Sequence, residues 1–239
     1  MTAAHRRELL AEFAGSALLA AIVVGSGIAA SRLSPGDTGL QLLENAFATA
    51  LGLGVLILVF QPVSGAHFNP VATLADCALG HRRWRDAASY LPAQILGCIT
   101  GAVLADVMFD LPAVTWSTTA RATPGTIVAE VVATAGLVLV IFGLARTGRG
   151  HLAAPAVGAY IGAAYWFTSS TSFANPAITV GRIFSDTFAG ISPASAPWFV
   201  LAQLAGGATG LGVTLALFPR ARQATSSPVT QARSRDTRG

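Results

Sequence analysis

Lysine is absent from this sequence, cysteine occurs only twice, and charged residues of any kind are scarce. All fifteen basic residues are arginine, which we interpret as genome composition and not as mechanism. Charged residues make up 11% of the chain, whereas a soluble domain carries about 25%. Cys77 and Cys98 lie in apolar segments and are too few for a disulfide framework or a cysteine metal site. With 53% hydrophobic residues, the composition excludes an ordinary soluble domain and indicates an integral membrane protein.

Long apolar runs fill most of the chain. A helix needs about 20 apolar residues to cross the hydrocarbon core of a bilayer. Six runs have about this length: 9–30, 41–61, 87–109, 126–145, 152–170 and 197–218. The first run is too long for the core of a signal peptide, and no convincing cleavage site follows it. We therefore expect it to remain as the first of six spans.

The arginines predict the orientation of these spans. Twelve of the fifteen lie before the first span, between the second and third spans, between the fourth and fifth spans, or after the sixth span. With six spans, all of these positions are on the same side of the membrane. The three exceptions are Arg32, Arg121 and Arg182. The positive-inside rule then places both termini in the cytoplasm of a multi-pass protein of the inner (plasma) membrane. We expect residues 1–219 to form one transmembrane domain and the polar residues 220–239 to be a disordered basic tail.

Two asparagine-proline pairs stand in matching settings in the two halves of the chain. Asparagine is a good N-cap, and proline is tolerated in the first turn of a helix. Each pair therefore predicts the start of a helix, over about 69–80 and 175–187, that is too short to cross the membrane. The central motif consists of Asn69, Pro70, Val71, Asn175, Pro176 and Ala177.

The two pairs belong to an internal repeat that covers about 8–110 and 125–218. Glu12 near the start of the first span is matched by Glu130 near the start of the fourth. Because each half holds three spans, an odd number, the halves must be inverted relative to each other. We predict an all-α membrane protein with six transmembrane helices and two re-entrant half-helices in an inverted 3+3 repeat, with its working site near the bilayer midplane.

Re-entrant segments that meet from opposite sides form a path lined by backbone. Non-helical backbone at membrane depth is tolerated only inside protein or along a water-filled path. We expect Asn69 and Asn175 to offer side-chain donors at the meeting point, between the positive ends of the two half-helices. The residues expected to line the path with carbonyl oxygens are Gly65, Ala66, His67, Thr171, Ser172 and Phe173. Such a path passes neutral molecules and opposes ions.

These motifs together resemble the aquaporin, or major intrinsic protein, family. The resemblance rests on the two asparagine-proline boxes, the lead-in Ser64–His67 and the paired glutamates, and it covers about residues 8–218. It implies a homotetramer with one pore per subunit and no cofactor. It also implies that Glu12 and Glu130 support the re-entrant loops and that His67 lines the pore. From the residues alone, a proton relay through the glutamates and a proton gate at His67 stay open as alternatives.

The narrow outer filter departs from the family pattern. Ile178 stands where orthodox water channels have arginine, three positions after the second asparagine. The nearest arginine, Arg182, lies one turn further, about 6 Å along a helix. It is either a displaced filter arginine or the partner of Asp186 in an i,i+4 salt bridge. Ungapped spacing from the boxes predicts a filter of Thr49, Ala163, Ser172 and Ile178. Val71 replaces a usual alanine and is expected to add bulk where the half-helices touch.

A filter without an aromatic wall or a fixed charge should be wider and more apolar than a water filter. We therefore predict a passive channel for water and small uncharged solutes, such as glycerol-like polyols and undissociated metalloid acids. The alternatives are an orthodox water-selective channel, an ion-coupled secondary transporter, which also uses inverted repeats, and a structural tetramer with an occluded filter. The sequence offers no catalytic pair, metal cluster or nucleic-acid motif, so the expected partners are the lipid bilayer and small neutral solutes.

Overall fold

The computed structural model describes residues 2–219, and over this range it contains eight α-helices and no strand. The helices are α1 (Ala3–Leu33), α2 (Thr38–Ser64), α3 (Pro70–Ala78), α4 (Trp84–Met108), α5 (Pro124–Arg146), α6 (Ala153–Phe167), α7 (Pro176–Gly181) and α8 (Ala196–Leu217). Short 3-10 turns, Gly150–Leu152 and Arg182–Phe184, precede α6 and follow α7. The predicted tail, 220–239, lies outside the described residues.

Within this range, five helices are long and apolar enough to cross a membrane: α1, α2, α4, α5 and α8. The predicted fifth span is shorter than expected, because α6 has 15 residues and ends at Phe167. It is about 22 Å long, and the 3-10 turn before it adds about 6 Å. Together they nearly cover the hydrocarbon core of about 30 Å. The chain is thus an all-helical, multi-pass membrane protein.

Glycines bring the backbones of α1 and α4, and of α5 and α8, into close contact. A Cβ atom at Gly97 of α4 would lie 2.4 Å from the carbonyl oxygen of Phe13 on α1. A Cβ atom at Gly206 of α8 would lie 2.5 Å from the carbonyl oxygen of Val131 on α5. Small residues allow such contacts between membrane helices, where packing rather than the hydrophobic effect drives association. In both halves, therefore, a glycine at a matching position lets two helix backbones pack closely.

The helix order brings the starts of α1 and α4 to one face of the bundle, here called the terminal face. There Arg82 lies 3.7 Å from Glu8, and Arg146 donates to the carbonyl of Phe218 at the end of α8. The face at the other end is here called the opposite face. It is marked by Arg32, whose guanidinium donates to the carbonyl of a residue just past α4.

The half-helices α3 and α7 begin at the predicted residues. Asn69 and Asn175 are their N-caps, in extended backbone, and each is followed by proline in the first turn. The Oδ1 atom of Asn69 accepts the N–H of Val71, and that of Asn175 accepts the N–H of Ala177, both at 2.9 Å. From this shared start, α3 runs to the terminal face and α7 runs to the opposite face. Both end earlier than predicted.

Candidate functional site

Glu12, buried on α1, holds the loop that precedes α3. Its Oε1 atom accepts hydrogen bonds from the hydroxyl of Ser64 at 2.6 Å and the N–H of His67 at 3.0 Å. Its Oε2 atom accepts from the N–H of Phe68 at 2.8 Å and the side-chain amide of Gln94 at 2.7 Å. Four donors thus converge on one carboxylate, and two of them belong to the loop backbone.

Glu130 on α5 repeats this arrangement in the second half. Its Oε1 atom accepts from the hydroxyl of Ser170 at 2.6 Å and the N–H of Phe173 at 2.9 Å. Its Oε2 atom accepts from the N–H of Ala174 at 2.9 Å and the side chain of Gln203 at 2.6 Å. Each contact has a counterpart in the first half, so the two carboxylates hold the two loops in the same way.

These hydrogen bonds fix the direction of the loop carbonyls. In a trans peptide the C=O group points opposite to the N–H group of the next residue, and the described chain has no cis peptide bond. Because the N–H groups of His67 and Phe68 point at Glu12, the carbonyls of Ala66 and His67 point away from it. The same reasoning applies to the second loop and Glu130. Each glutamate therefore turns a short row of carbonyl oxygens to the other side of its loop.

Both loops contain non-glycine residues with left-handed backbone. The φ angles are 52° at Ala66 and 49° at Phe68, and 51° at Ser172 and 48° at Ala174. Such residues are uncommon and cost about 1–3 kcal/mol each when the surroundings do not favour them. They persist where other contacts over-determine the backbone, as the glutamates do here, and they cluster at functional sites. The two loops therefore carry the same uncommon backbone at matching positions, which makes them the candidate functional centre.

Asn69 and Asn175 meet at this centre and exchange contacts between the two halves. The Nδ2 atom of Asn69 donates to the carbonyl of Ala174 at 2.8 Å, and that of Asn175 donates to the carbonyl of Phe68 at 2.7 Å. Each Nδ2 atom carries two hydrogens, so one N–H of each amide is left for a molecule beside it. Both asparagines line the same cavity.

That cavity has a volume of about 220 Å³ and passes through both halves of the bundle. It begins near the terminal face at Asp76 and His81 and reaches Arg182 toward the opposite face. Five of the six loop residues expected to line the path do so: Gly65, Ala66, His67, Ser172 and Phe173. Thr171 lies outside this lining, half-buried in its loop.

His67 lies between a hydroxyl and a carboxylate in the terminal half of the cavity. Its Nδ1 atom is 2.9 Å from Oγ1 of Thr73, and its Nε2 atom is 3.5 Å from the carboxylate of Asp76. Asp76 also lies 3.1 Å from His81 and 3.6 Å from Arg82. His67 is therefore held at the wall of the cavity by groups on the half-helix that follows it.

The other end of the cavity combines polar, aromatic and apolar groups. Its lining consists of Thr49, Tyr165, Ser172, Phe173, Ile178 and Arg182. The Tyr165 hydroxyl donates to Oγ1 of Thr49 at 3.2 Å. The guanidinium carbon of Arg182 lies 3.4 Å from the ring centroid of Phe173, and its Nε atom donates to the carbonyl of Ala189. Arg182 is only 3% exposed, so its charge is held inside the protein.

Ala163 does not belong to this lining, contrary to the prediction from spacing. It is exposed on the outer surface of α6, whereas Val157, Ile161 and Tyr165 line the cavity. Two residues turn a helix by about 200°, so Ala163 and Tyr165 face nearly opposite directions. The i,i+4 spacing of Val157, Ile161 and Tyr165 was the sequence signal for the inner face of α6. Tyr165 is the residue that sequence reasoning missed.

Arg182 lies in the cavity lining, as expected for the first of its two alternatives, a displaced filter arginine. Since α7 ends at Gly181 and the chain tightens into a 3-10 turn, the Arg182 side chain returns over Phe173 and lines the cavity. The lining at this end of the cavity therefore contains an arginine and two aromatic rings, Phe173 and Tyr165. In the described chain Arg182 forms no ion pair with Asp186, whose carboxylate accepts the N–H of Thr118 at 2.9 Å instead.

The sequence had predicted that Val71 adds bulk between the half-helices, and this prediction is wrong. Its side chain packs in a cluster with Val138 and Phe142 of α5 and with Ala75 and Leu79 of its own segment. The valine therefore points away from α7. Asn69 still contacts the second loop, through its hydrogen bond to the carbonyl of Ala174 at 2.8 Å.

Comparison with known proteins gives a consistent result. Residues 1–173 match the family model described as Major intrinsic protein. Aquaglyceroporin AqpS of Rhizobium meliloti (strain 1021) is 46% identical over 217 residues, which are 90% of this chain and 92% of that protein. Aquaporin-2 of Homo sapiens is 35% identical over 157 residues, 62% of this chain and 55% of that protein. The X-ray structure of the aquaglyceroporin from Plasmodium falciparum shares the fold, with a TM-score of 0.68 and 21% identity over 95% of this chain and 99% of that one.

Proposed function

The chain belongs to the major intrinsic protein family, and we propose that its pore selects among small uncharged solutes. It is a membrane channel for water and small uncharged solutes, and it is not an enzyme. We propose that its solutes include glycerol-like polyols and undissociated metalloid acids. We further propose that it works as a homotetramer with one pore per subunit, in the inner (plasma) membrane, with both termini in the cytoplasm.

The lining near Arg182 carries this proposal, because it combines an apolar surface with hydrogen-bond donors. Ile178 and the ring of Phe173 offer apolar surface for the carbon backbone of a polyol. The Arg182 guanidinium has five N–H donors, and Ala189 accepts from only one of its nitrogen atoms, so donors remain for solute hydroxyls. A polyol presents both kinds of surface at once. The name of the relative AqpS, an aquaglyceroporin, agrees with this choice of solute.

The central residues complete the proposed path. We assign Asn69 and Asn175 as donors, and the loop carbonyls as acceptors, to a file of neutral molecules that exchange hydrogen bonds as they move. An ion would have to give up its hydration shell at the same place without equal compensation. Glu12 and Glu130 act as supports that keep the carbonyls turned to the path, and His67 lines its terminal half.

A water-selective channel is the second candidate, and one contact favours it. The hydrogen bond from Tyr165 to Thr49 joins α6 to α2 at the wall of the cavity that Arg182 also lines. If that contact persists during transport, the opening would suit water better than glycerol. An ion-coupled transporter would instead require uptake that depends on a proton gradient.

Stopped-flow light scattering of proteoliposomes separates these functions, with water and glycerol permeability measured on one preparation. Glycerol flux well above that of empty vesicles supports the polyol channel and leads to a test of metalloid acids. Fast water flux without glycerol flux supports the water-selective alternative. Solute uptake that stops when an imposed proton gradient collapses would support the transporter and reject the passive channel.

A further inference from the structure

Arg121 lies in the segment between α4 and α5, at the face where Arg182 ends the lining of the pore. Its Nε atom donates to the carbonyl of Gly190 at 2.6 Å, and its Nη2 atom donates to the carbonyl of Phe188 at 2.8 Å. Its backbone N–H donates to the hydroxyl of Ser195 at 3.0 Å. Both the side chain and its backbone are therefore fixed against the segment that follows α7.

Arg121 and Arg182 converge on one aromatic ring. Their guanidinium carbons lie 5.5 Å and 3.4 Å from the ring centroid of Phe173, a residue of the pore lining. Arg182 donates to the carbonyl of Ala189, which lies in sequence between the two carbonyls that accept from Arg121. Three consecutive carbonyls thus orient two guanidinium groups toward the same wall of the pore.

Carbonyl oxygens orient these charges but do not neutralise them. Among the described residues, neither Arg121 nor Arg182 has a carboxylate within ion-pair distance. Glu130 attracts both arginines electrostatically, but its two oxygens already accept four hydrogen bonds from other groups. Because both guanidinium groups lie against one ring, they are closer together than the Debye length of about 10 Å at 0.1 M salt. Their fields therefore add at this mouth of the pore.

We propose that Arg121 is a second specificity-determining arginine, which joins Arg182 in excluding protons and metal cations at the opposite face. Arg121 is not part of the cavity lining, so it acts through its field and not through contact with the solute. The inference rests on the proposed channel function. A row of carbonyl oxygens attracts cations, and a positive barrier at its mouth leaves neutral solutes free to pass.

Cation leak through variant proteins in proteoliposomes tests this role. Two leaks are measured: proton uptake, which a potassium diffusion potential drives, and sodium efflux. Each leak is divided by the water permeability of the same vesicles to give a leak ratio. Arg121→Gln and Arg121→Lys are compared in the natural chain and on an Arg182→Gln background, where the first barrier is already lowered. Arg32→Gln is the matched control, because Arg32 also lies at the opposite face, donates to a carbonyl and stacks on a ring. Its ring, Phe109, does not line the pore, whereas Phe173 does.

Arg121→Gln should raise the leak ratio on the Arg182→Gln background by about twofold to twentyfold. This range is the effect of a unit charge on a cation about 9 Å away, at effective dielectric constants of 80 and 20. The distance is the largest separation of the two guanidinium carbons that their distances from the Phe173 ring centroid allow. Arg121→Lys should restore most of the barrier, because it keeps the charge and loses the two-carbonyl geometry. Arg32→Gln should leave the ratio unchanged.

The proposal is overturned if adding Arg121→Gln to the Arg182→Gln protein leaves its leak ratio unchanged. It is also overturned if Arg121→Lys and Arg121→Gln leak equally, because loss of the charge would then not matter and the role of Arg121 would be purely structural. Absence of water and glycerol flux from the natural protein would instead reject the channel function and this inference with it. If water and glycerol fluxes are normal and the leak ratio of the Arg121→Gln variant is unchanged, only the role of Arg121 is rejected.

Discussion

The Cγ1 methyl group of Val71 occupies the space that Gly207 leaves open on α8. A Cβ atom at Gly207 would lie 2.4 Å from that methyl carbon, closer than non-bonded carbon atoms approach. Valine is branched at Cβ and has a stiff χ1 angle, so the methyl group cannot easily turn away. The unusual valine of the first box is therefore accommodated by a glycine next to Gly206, the residue that packs on α5.

Gly207→Ala should destabilise the protein by about 1–3 kcal/mol, the usual range for overpacking a filled site. The added methyl would press on Val71, so the double variant Val71→Ala/Gly207→Ala should regain most of the loss. The measurement is the melting temperature of the purified protein in detergent. Gly212→Ala, on the same helix, is the control, because no atom lies within 4 Å of its added Cβ. A loss in Gly207→Ala that the second change does not relieve would contradict this packing.

Glu12→Gln and Glu130→Gln should each lower stability by more than about 3 kcal/mol, since hydrogen bonds to a charged group contribute about 1.5–3 kcal/mol each. The new amide would also place a donor against backbone N–H groups that now donate to the carboxylate. Thermal unfolding and water flux should fall together, and by similar amounts in the two variants.

Glu44→Gln is the control for these two variants, because it makes the same chemical change and removes the same single negative charge. One oxygen of Glu44 accepts from the hydroxyl of Ser34 at 2.7 Å, and the other has no partner among the described residues. Its replacement should cost much less than that of Glu12 or Glu130. If both paired glutamates were replaced without loss of stability while proton movement changed, a proton relay would be the better explanation.

The starts of the half-helices could be predicted from the sequence because they depend on local chemistry. Asparagine is favoured as an N-cap and proline in the first turn of a helix, and both helices begin at such a pair. The glutamate pairs could be anticipated for a similar reason: a carboxylate inside a membrane needs several donors, and the loop backbones supply them.

The filter could not be predicted as well, because its residues meet through helix phase and the path of the chain after α7. Counting back from Asn175 gave Ala163, but the phase of α6 turns Tyr165 inward and Ala163 outward. Counting forward placed Arg182 further out, but the 3-10 turn brings its side chain back over Phe173. A residue count from the asparagine-proline boxes carries no information about either change in direction.

Ile178→Arg should reduce glycerol flux at least about tenfold, equivalent to about 1.4 kcal/mol in the barrier, and should reduce water flux less. The longer side chain would fill the apolar side of the lining and place another positive charge beside Arg182. Stopped-flow measurements of both permeabilities check this, with Ile178→Leu as the control of equal volume. Equal losses for glycerol and water would show that Ile178 is not at the constriction.

Water flux through the natural protein should resist mercurial reagents, and Ser172→Cys should make it sensitive. Cys77 and Cys98 are buried outside the cavity lining, where their thiols donate to the carbonyls of Arg83 and Ser16. Ser172 lines the cavity, and its hydroxyl has no partner in the described part of the chain, so a thiol fits there without losing a contact. Osmotic shrinkage rates before and after mercuric chloride give the result, with reversal by a free thiol as the control. Strong inhibition of the natural protein would implicate one of its own cysteines.

Tyr165→Phe should change the ratio of glycerol to water permeability, whereas Tyr160→Phe should not. Both variants remove one hydroxyl group from α6. The Tyr165 hydroxyl donates to Thr49 at the cavity wall, and its loss leaves Oγ1 of Thr49 free for a solute. The Tyr160 hydroxyl donates to the carbonyl of Ala133 at 3.0 Å, away from the cavity, so its loss should cost about 1 kcal/mol of stability and no selectivity. A larger permeability ratio in Tyr165→Phe would identify the Tyr165–Thr49 contact as a restriction on polyols, and an unchanged ratio would place the constriction at Ile178 and Arg182 alone.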